Sequence, residues 1–284
     1  MIKKLSSEHS VEKMAEIYDV SRSGYYEWLN RRPSASEIKR DMVLKTLKAA
    51  HEATTSYGID NLWDDVKEKI PCGRNMIYRL MKKHKIYAIR ANSFKITTNS
   101  DHELTTYPNI LSQNFKAEYP NQKWVTDITY IPTEEGWAFA AIVKDLFTKD
   151  IVGWATGDRI TKALAIRALN NAIKSEKPKS GLIHHSDRGV QYCSKAYQEI
   201  LKEHSFVVSM SRPGTPYDNA CAENFFSCMK NEKLSMMHFK TRKEAYFAVF
   251  EYIEIFYRRK RRHSGIGRIS PLEFKNQYLK NTVA

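Results

Sequence analysis

Two rhythms of apolar residues divide this chain. From residue 11 to about residue 85, apolar positions recur every three or four residues, the period of an amphipathic helix. Val11, Met14 and Ile17 share one such face, and Asp19-Val20-Ser21 marks a turn. Ser21 is placed to cap a second helix carrying Tyr25, Tyr26 and Trp28. This is a helix–turn–helix pattern, which an ordinary helical hairpin shares. Arg31-Arg32-Pro33-Ser34 breaks the run. A helix is expected over residues 36–52, with Val43, Leu47 and Ala50 on one side. A second hairpin follows: Leu62, Val66 and Ile70, a turn at Pro71-Cys72-Gly73, then Ile77, Leu80 and Met81. Residues 91–121 are polar with little periodicity and read as a linker.

From Trp124 the period falls to two. WVTDITYI puts Val125, Asp127, Thr129 and Ile131 on one face of a strand. Glu134-Glu135-Gly136 makes a hairpin turn, and WAFAAIVKDLF and DIVGWATGD are two further strands. A helix over residues 161–175, a strand over 181–186, a helix from Ser194, the strand FVVSMS and a helix carrying Glu223 complete the order β-β-β-α-β-α-β-α. That order predicts a mixed sheet covered by helices. A last helix opens on a capping box, Thr241 to Glu244, and ends in the basic run RRKRRH.

Charge adds a partner to this outline. The 284 residues include 46 Lys and Arg against 32 Asp and Glu, a formal net charge of +14, which points to a polyanion and first to nucleic acid. The second helix of the second hairpin carries Arg74, Arg79, Lys82 and Lys83, suited to the phosphates of a DNA groove. Arg258, Arg259, Arg261 and Arg262 in the C-terminal run read as further nucleic-acid contacts. The alternative for both is a solvated basic face. No apolar run approaches the roughly 18 residues of a membrane span, and the N-terminus lacks a secretory signal. Cys72, Cys193, Cys221 and Cys228 form no CxxC pair and read as reduced, buried thiols of a cytosolic protein.

Three acids carry the candidate chemistry. Asp127 sits inside a strand, against strand propensity. Asp187 ends the strand over 181–186, and Glu223 lies near a helix start with residues 188–222 between them. Carboxylates of this kind suit hard Mg²⁺ or Mn²⁺ ions, and two such ions can clamp both oxygens of an in-line phosphodiester displacement. Asp145, Asp150, Asp158 and Asp218 compete; Asp218, just before the helix of Glu223, is expected to cap it. Glu223, Ser227 and Lys230 share a helical face, which would let Lys230 reach a phosphate. His184 and His185 are adjacent in a strand, so at most one faces the site.

WVTDITYI, HHSDRGVQY, SMSRPGTPYDNACAENFF and MKNE resemble the catalytic core of OrfB-type transposases of the insertion sequence 3 group, within the DDE transposase and retroviral integrase superfamily. RRKRRHSGIG and SPLEF resemble that family's C-terminal tail, and VSRSGYYEWL and IYRLMKKHKI its helical N-terminal region. Thr215 and Arg258 depart from it, each standing where an Asn is common. The resemblance implies an RNase H-like α/β core, a mixed five-stranded sheet with flanking helices, preceded by an α-helical, helix–turn–helix-like region. It implies a DNA-binding region at 1–90, a linker at 91–121, a catalytic core at 122–235 and, at 236–284, a C-terminal helix and basic tail completing that core. Asp127, Asp187 and Glu223 would be the metal-binding catalytic acids, with two Mg²⁺ or Mn²⁺ ions per site, and Lys230 a contact to the element's end. The activity implied is cleavage at element ends and strand transfer, by a homo-oligomer on terminal inverted repeats and target DNA. An upstream reading-frame product is an implied partner, and the location is bacterial, cytoplasmic and nucleoid-associated. A non-catalytic DNA-binding regulator and a nuclease that does not join strands are the alternatives.

Overall fold

The two periodicities sort into two compact units of the computed structural model, Met1–Ala88 and Ile89–Ala284. Residues 2–89 and 105–283 are described; residues 91–104 of the expected linker lie outside them.

The first unit is helical throughout: α1 (Ile2–Leu5), α2 (Val11–Ile17), α3 (Arg22–Asn30), α4 (Ala35–Ala53), α5 (Ile59–Lys67) and α6 (Arg74–His84). Ser21 caps α3 by accepting the Gly24 N–H, as its position predicts. Ser34 and Glu37 form a full capping box on α4. Leu47, Leu62, Val66 and Ile77 are fully buried where α4, α5 and α6 meet. Ile17 departs from expectation at 76 % exposed. The seven-residue α2 ends there, and the small core of Ile2, Met14 and Tyr25 takes in Val11 but not Ile17.

The second unit is built on a five-stranded sheet of β1 (Lys123–Thr133), β2 (Gly136–Asp145), β3 (Ile151–Gly157), β4 (Ile183–Ser186) and β5 (Val207–Met210). Its strand order is β3-β2-β1-β4-β5. The hairpin strands β1, β2 and β3 pair antiparallel, while β4 joins β1 and β5 in parallel. Helices α7 (Lys162–Glu176), α8 (Val190–Cys193) and α9 (Lys195–Glu203) cover one face, packing on Trp124, Ala141, Val143 and Val152. The other face, with Val125, Ile131, Ala140 and Ile142, is covered by α10 (Ala220–Glu232) and α11 (Arg242–Phe250). The central strand β1 is therefore apolar on both faces, not on one as strict alternation would have it. Gly153 on β3 lets α7 approach: a Cβ there would lie 2.3 Å from the Ala168 carbonyl oxygen.

Three local expectations are corrected. The later part of the presumed linker packs into this unit: Leu111 is 2 % exposed, and the Ile110 and Leu111 N–H groups both donate to Ser209 Oγ. The box on α11 is only half closed, since Glu244 takes the N–H of Lys240 and not that of Thr241. Of the four free thiols, only Cys193 is buried. Past α11 the chain widens into a π-helical stretch, Glu251–Tyr257, and ends in α12 (Pro271–Val283).

Candidate active site

Asp127 belongs with Val125 and Ile131 on the face of β1 that α10 covers, because strand side chains alternate. It is the strand's one acid, partly open at the surface yet ringed by protein. β4 flanks β1 only over Lys123–Val125, so the parallel ladder stops just short of it. Asp187 follows directly on β4, and its Oδ1 accepts the Gly189 N–H at 2.9 Å. Glu223 lies in the first turn of α10, and Lys230 two turns further along the same helix.

The electrostatics bring these four groups together. Burial, the charge of Asp187 and that of Glu223 push the Asp127 carboxyl well above the usual range, against the Ile128 N–H that it accepts at 2.8 Å. Burial and Asp187 likewise raise Glu223. Burial lowers Lys230 while Asp127 supports its charge. Three acids from distant parts of the chain thus share one field, in which Lys230 also lies. Among the described residues, no three Asp, Glu, His or Cys side chains are gathered into a ready-made metal cage. The donor set itself, three carboxylates, suits a hard divalent cation.

The competing acids have other work. Asp145 pins a turn, accepting from the Asn121 N–H and from both the N–H and hydroxyl of Thr148. Asp158 is exposed. Asp218 does not cap α10. It is fully buried and accepts from the Arg212 backbone N–H, the Arg212 guanidinium and Gln113 Nε2. Arg212 holds its carboxyl far below the ordinary range. His185 shares the face of Val125, but Ser209 and Ser211 occupy both its ring nitrogens. His184 faces the opposite layer and meets the Tyr197 hydroxyl at 3.1 Å. Neither histidine is presented as a ligand.

The basic residues divide. Arg79, Lys82 and Lys83 are exposed on α6, while Arg74 pairs with Asp60 at 2.6 Å. In the C-terminal run Arg259 is exposed and Arg262 half-buried. Arg258 and Arg261, read from the sequence as nucleic-acid contacts, are instead committed inside the chain. Arg258 forks onto Asp150, which is fully buried, and also reaches Glu254; Arg261 forks onto Glu232. A buried carboxylate without a cation costs several kcal/mol, which explains the Arg258–Asp150 pairing. The Arg258 departure thus supplies the counterion of Asp150. Sequence reasoning also passed over Asn219, whose Nδ2 donates to the Thr126 carbonyl, and Tyr130, whose ring lies 4.3 Å from the Lys230 ammonium. A backbone carbonyl as partner leaves no mark in the sequence.

An integrase core domain matches residues 117–216, and a second integrase core domain matches residues 223–279. The chain is 44% identical over 267 residues to an insertion element IS600 uncharacterized 31 kDa protein of Shigella sonnei, covering 93% of this chain and 98% of that protein. It is 37% identical over 282 residues to the transposase InsF for insertion sequence IS3A of Escherichia coli (strain K12), covering 98% of each. Among solved structures, the BIV integrase catalytic core aligns at 14% identity with a TM-score of 0.42, over 58% of this chain and 99% of that one. The HTLV-2 integrase catalytic core in complex with magnesium aligns at 15% identity and 0.44, over 56% and 99%. Integrase core domains match the chain over 117–216 and 223–279, and an insertion-sequence transposase matches it over 98% of its length, so the chain belongs to the IS3-group transposases: it is a DNA transposase of the DDE type, its core a mixed five-stranded sheet flanked by helices.

Proposed function

We propose that Asp127, Asp187 and Glu223 are the catalytic acids and hold two divalent cations, Mg²⁺ or Mn²⁺, at the rim of the sheet. The observation that carries this is the placement of Asp127 on β1, Asp187 at the end of β4 and Glu223 in the first turn of α10, close enough that, after burial, the charges of Asp187 and Glu223 raise the Asp127 carboxyl. Cations bound there would supply Lewis acidity, favouring deprotonation of the attacking oxygen and steadying the leaving one. The protein's own part is to aim: β1 carries one carboxylate, the second follows directly on β4, and α10 brings the third across. Lys230, partly desolvated beside Asp127, meets the phosphate next to the scissile bond at the element's end.

The reaction runs in two displacements without a covalent protein intermediate. Hydrolysis at the element's end leaves a 3′-OH, and that hydroxyl attacks a second phosphodiester, releasing one 3′-OH for each bond formed. Arg79, Lys82, Lys83, Arg259 and Arg262 grip the backbone of the terminal repeats or target. Arg74 contributes less, because Asp60 shares its charge. Holding two ends at once calls for more than one copy of the chain, and an upstream reading-frame product is a further candidate partner for end binding.

The test is strand transfer on an oligonucleotide carrying an element end, with Mg²⁺ or Mn²⁺. Wild type is expected to give joined strands, and Asp187→Asn none at equal DNA binding. Equal product from both proteins would remove the acids from the mechanism; cleavage without joining would reduce the reading to a nuclease.

A further inference from the structure

Asn219 immediately precedes α10, at the position where an Asn ordinarily accepts an N–H from its own helix. Its side chain makes no such cap. Instead Nδ2 donates to the Thr126 carbonyl oxygen at 3.1 Å. A carbonyl only accepts, so the amide's orientation is fixed by its partner. Thr126 directly precedes Asp127, and Asn219 precedes Glu223 by one helical turn. The bond therefore joins the backbone beside one acid to the helix turn bearing another.

Two observations mark it as more than a loop contact. Asn219 is 4 % exposed, and its Oδ1 has no hydrogen-bond partner among the described residues. A buried acceptor left unmet is costly. The residue thus gives up a cap and leaves one atom unpaired while keeping this single tether. The neighbouring Asp218 is clamped by Arg212 at 3.0 Å and Gln113 at 2.8 Å, so the segment entering α10 is anchored beside it.

We propose that Asn219 is a positioning residue that sets the separation of Asp127 and Glu223 by tying the first turn of α10 to β1. This depends on the reading of those acids as cation ligands. Carboxylates that repel one another must be held near each other before a cation can bridge them. The tether supplies part of that restraint in advance, so its removal lowers cation affinity more than fold stability.

The test is Mn²⁺ binding to the full chain, followed by the electron paramagnetic resonance of free Mn²⁺, with thermal unfolding measured in chelator. Asn219→Ser is the informative variant: serine still caps a helix but is too short to reach Thr126. Its Mn²⁺ affinity is expected to fall about tenfold with the unfolding midpoint held. The Mn²⁺ concentration for half-maximal strand transfer should rise by the same factor. Asn219→Ala, run in parallel, keeps the comparison available if serine unsettles the loop. Should both variants bind Mn²⁺ as wild type does while Asp187→Asn loses binding, the tether is structural only and the proposal fails alone. Wild-type binding by Asp187→Asn would instead remove the cation site, and the positioning role with it.

Discussion

Lys230 holds its ammonium 4.3 Å from the centroid of the Tyr130 ring, three residues beyond Asp127 on β1. The ring face attracts the cation and limits its reach to the neighbourhood of the acids. Lys230→Gln is expected to cut strand transfer by about tenfold to a hundredfold, as loss of a charge-assisted hydrogen bond worth about 1.5–3 kcal/mol would. The slope of log affinity against log salt for end DNA should fall by about one. Tyr130→Leu should give a smaller loss with the salt slope unchanged, since the charge remains. Rates and binding across a salt series would check both.

Arg258 and Arg259 are neighbours in sequence with opposite expected effects. Burial opposes the Arg258 charge, but Asp150 and Glu254 outweigh it and keep the guanidinium protonated. Arg258→Ala leaves Asp150 buried without its paired guanidinium, a loss of about 3–5 kcal/mol in urea unfolding. Arg259→Ala should leave unfolding unchanged and weaken DNA binding across all sequences.

Gly153 sits where β3 meets α7. Its Cβ would fall 2.3 Å from the Ala168 carbonyl oxygen and 2.5 Å from the Ala172 nitrogen, both backbone atoms of a packed helix. Gly153→Ala is expected to destabilise the protein by about 1–3 kcal/mol or more through overpacking, read as a lower denaturation midpoint.

Burial pushes the His184 ring down to about 3, aided by His185. The unfolded chain therefore binds this proton more tightly than the folded one. Between about pH 3 and pH 6.5 the unfolded state holds more protons at this position, so stability rises with pH and the contribution is complete above pH 6.5. Lowering the pH through that window should lower the denaturation midpoint. His184→Gln should flatten this dependence, whatever it does to stability at pH 7.

Much of the second unit was legible because its signals are local. Strand alternation, turn residues and helical spacing gave its element order, and in the first unit Ser21 caps α3 where its position predicts. Asp127 stands out as a carboxylate inside a strand, against strand propensity, and Asp187 and Glu223 by their spacing. The sequence could not say which charges turn inward. Arg258 and Arg261 look like their neighbours in RRKRRH, and only the position of Asp150 and Glu232 in the folded chain makes them counterions. Asp218 looks like a cap until Arg212 and Gln113 are brought to it. The Asn219 tether ends on a backbone carbonyl, which every residue possesses. Local sequence determines what each segment can be, because propensity and periodicity act over a few residues. The tertiary structure decides which charges are paid for by partners, because burial and Coulomb interactions depend on distance in space and not along the chain.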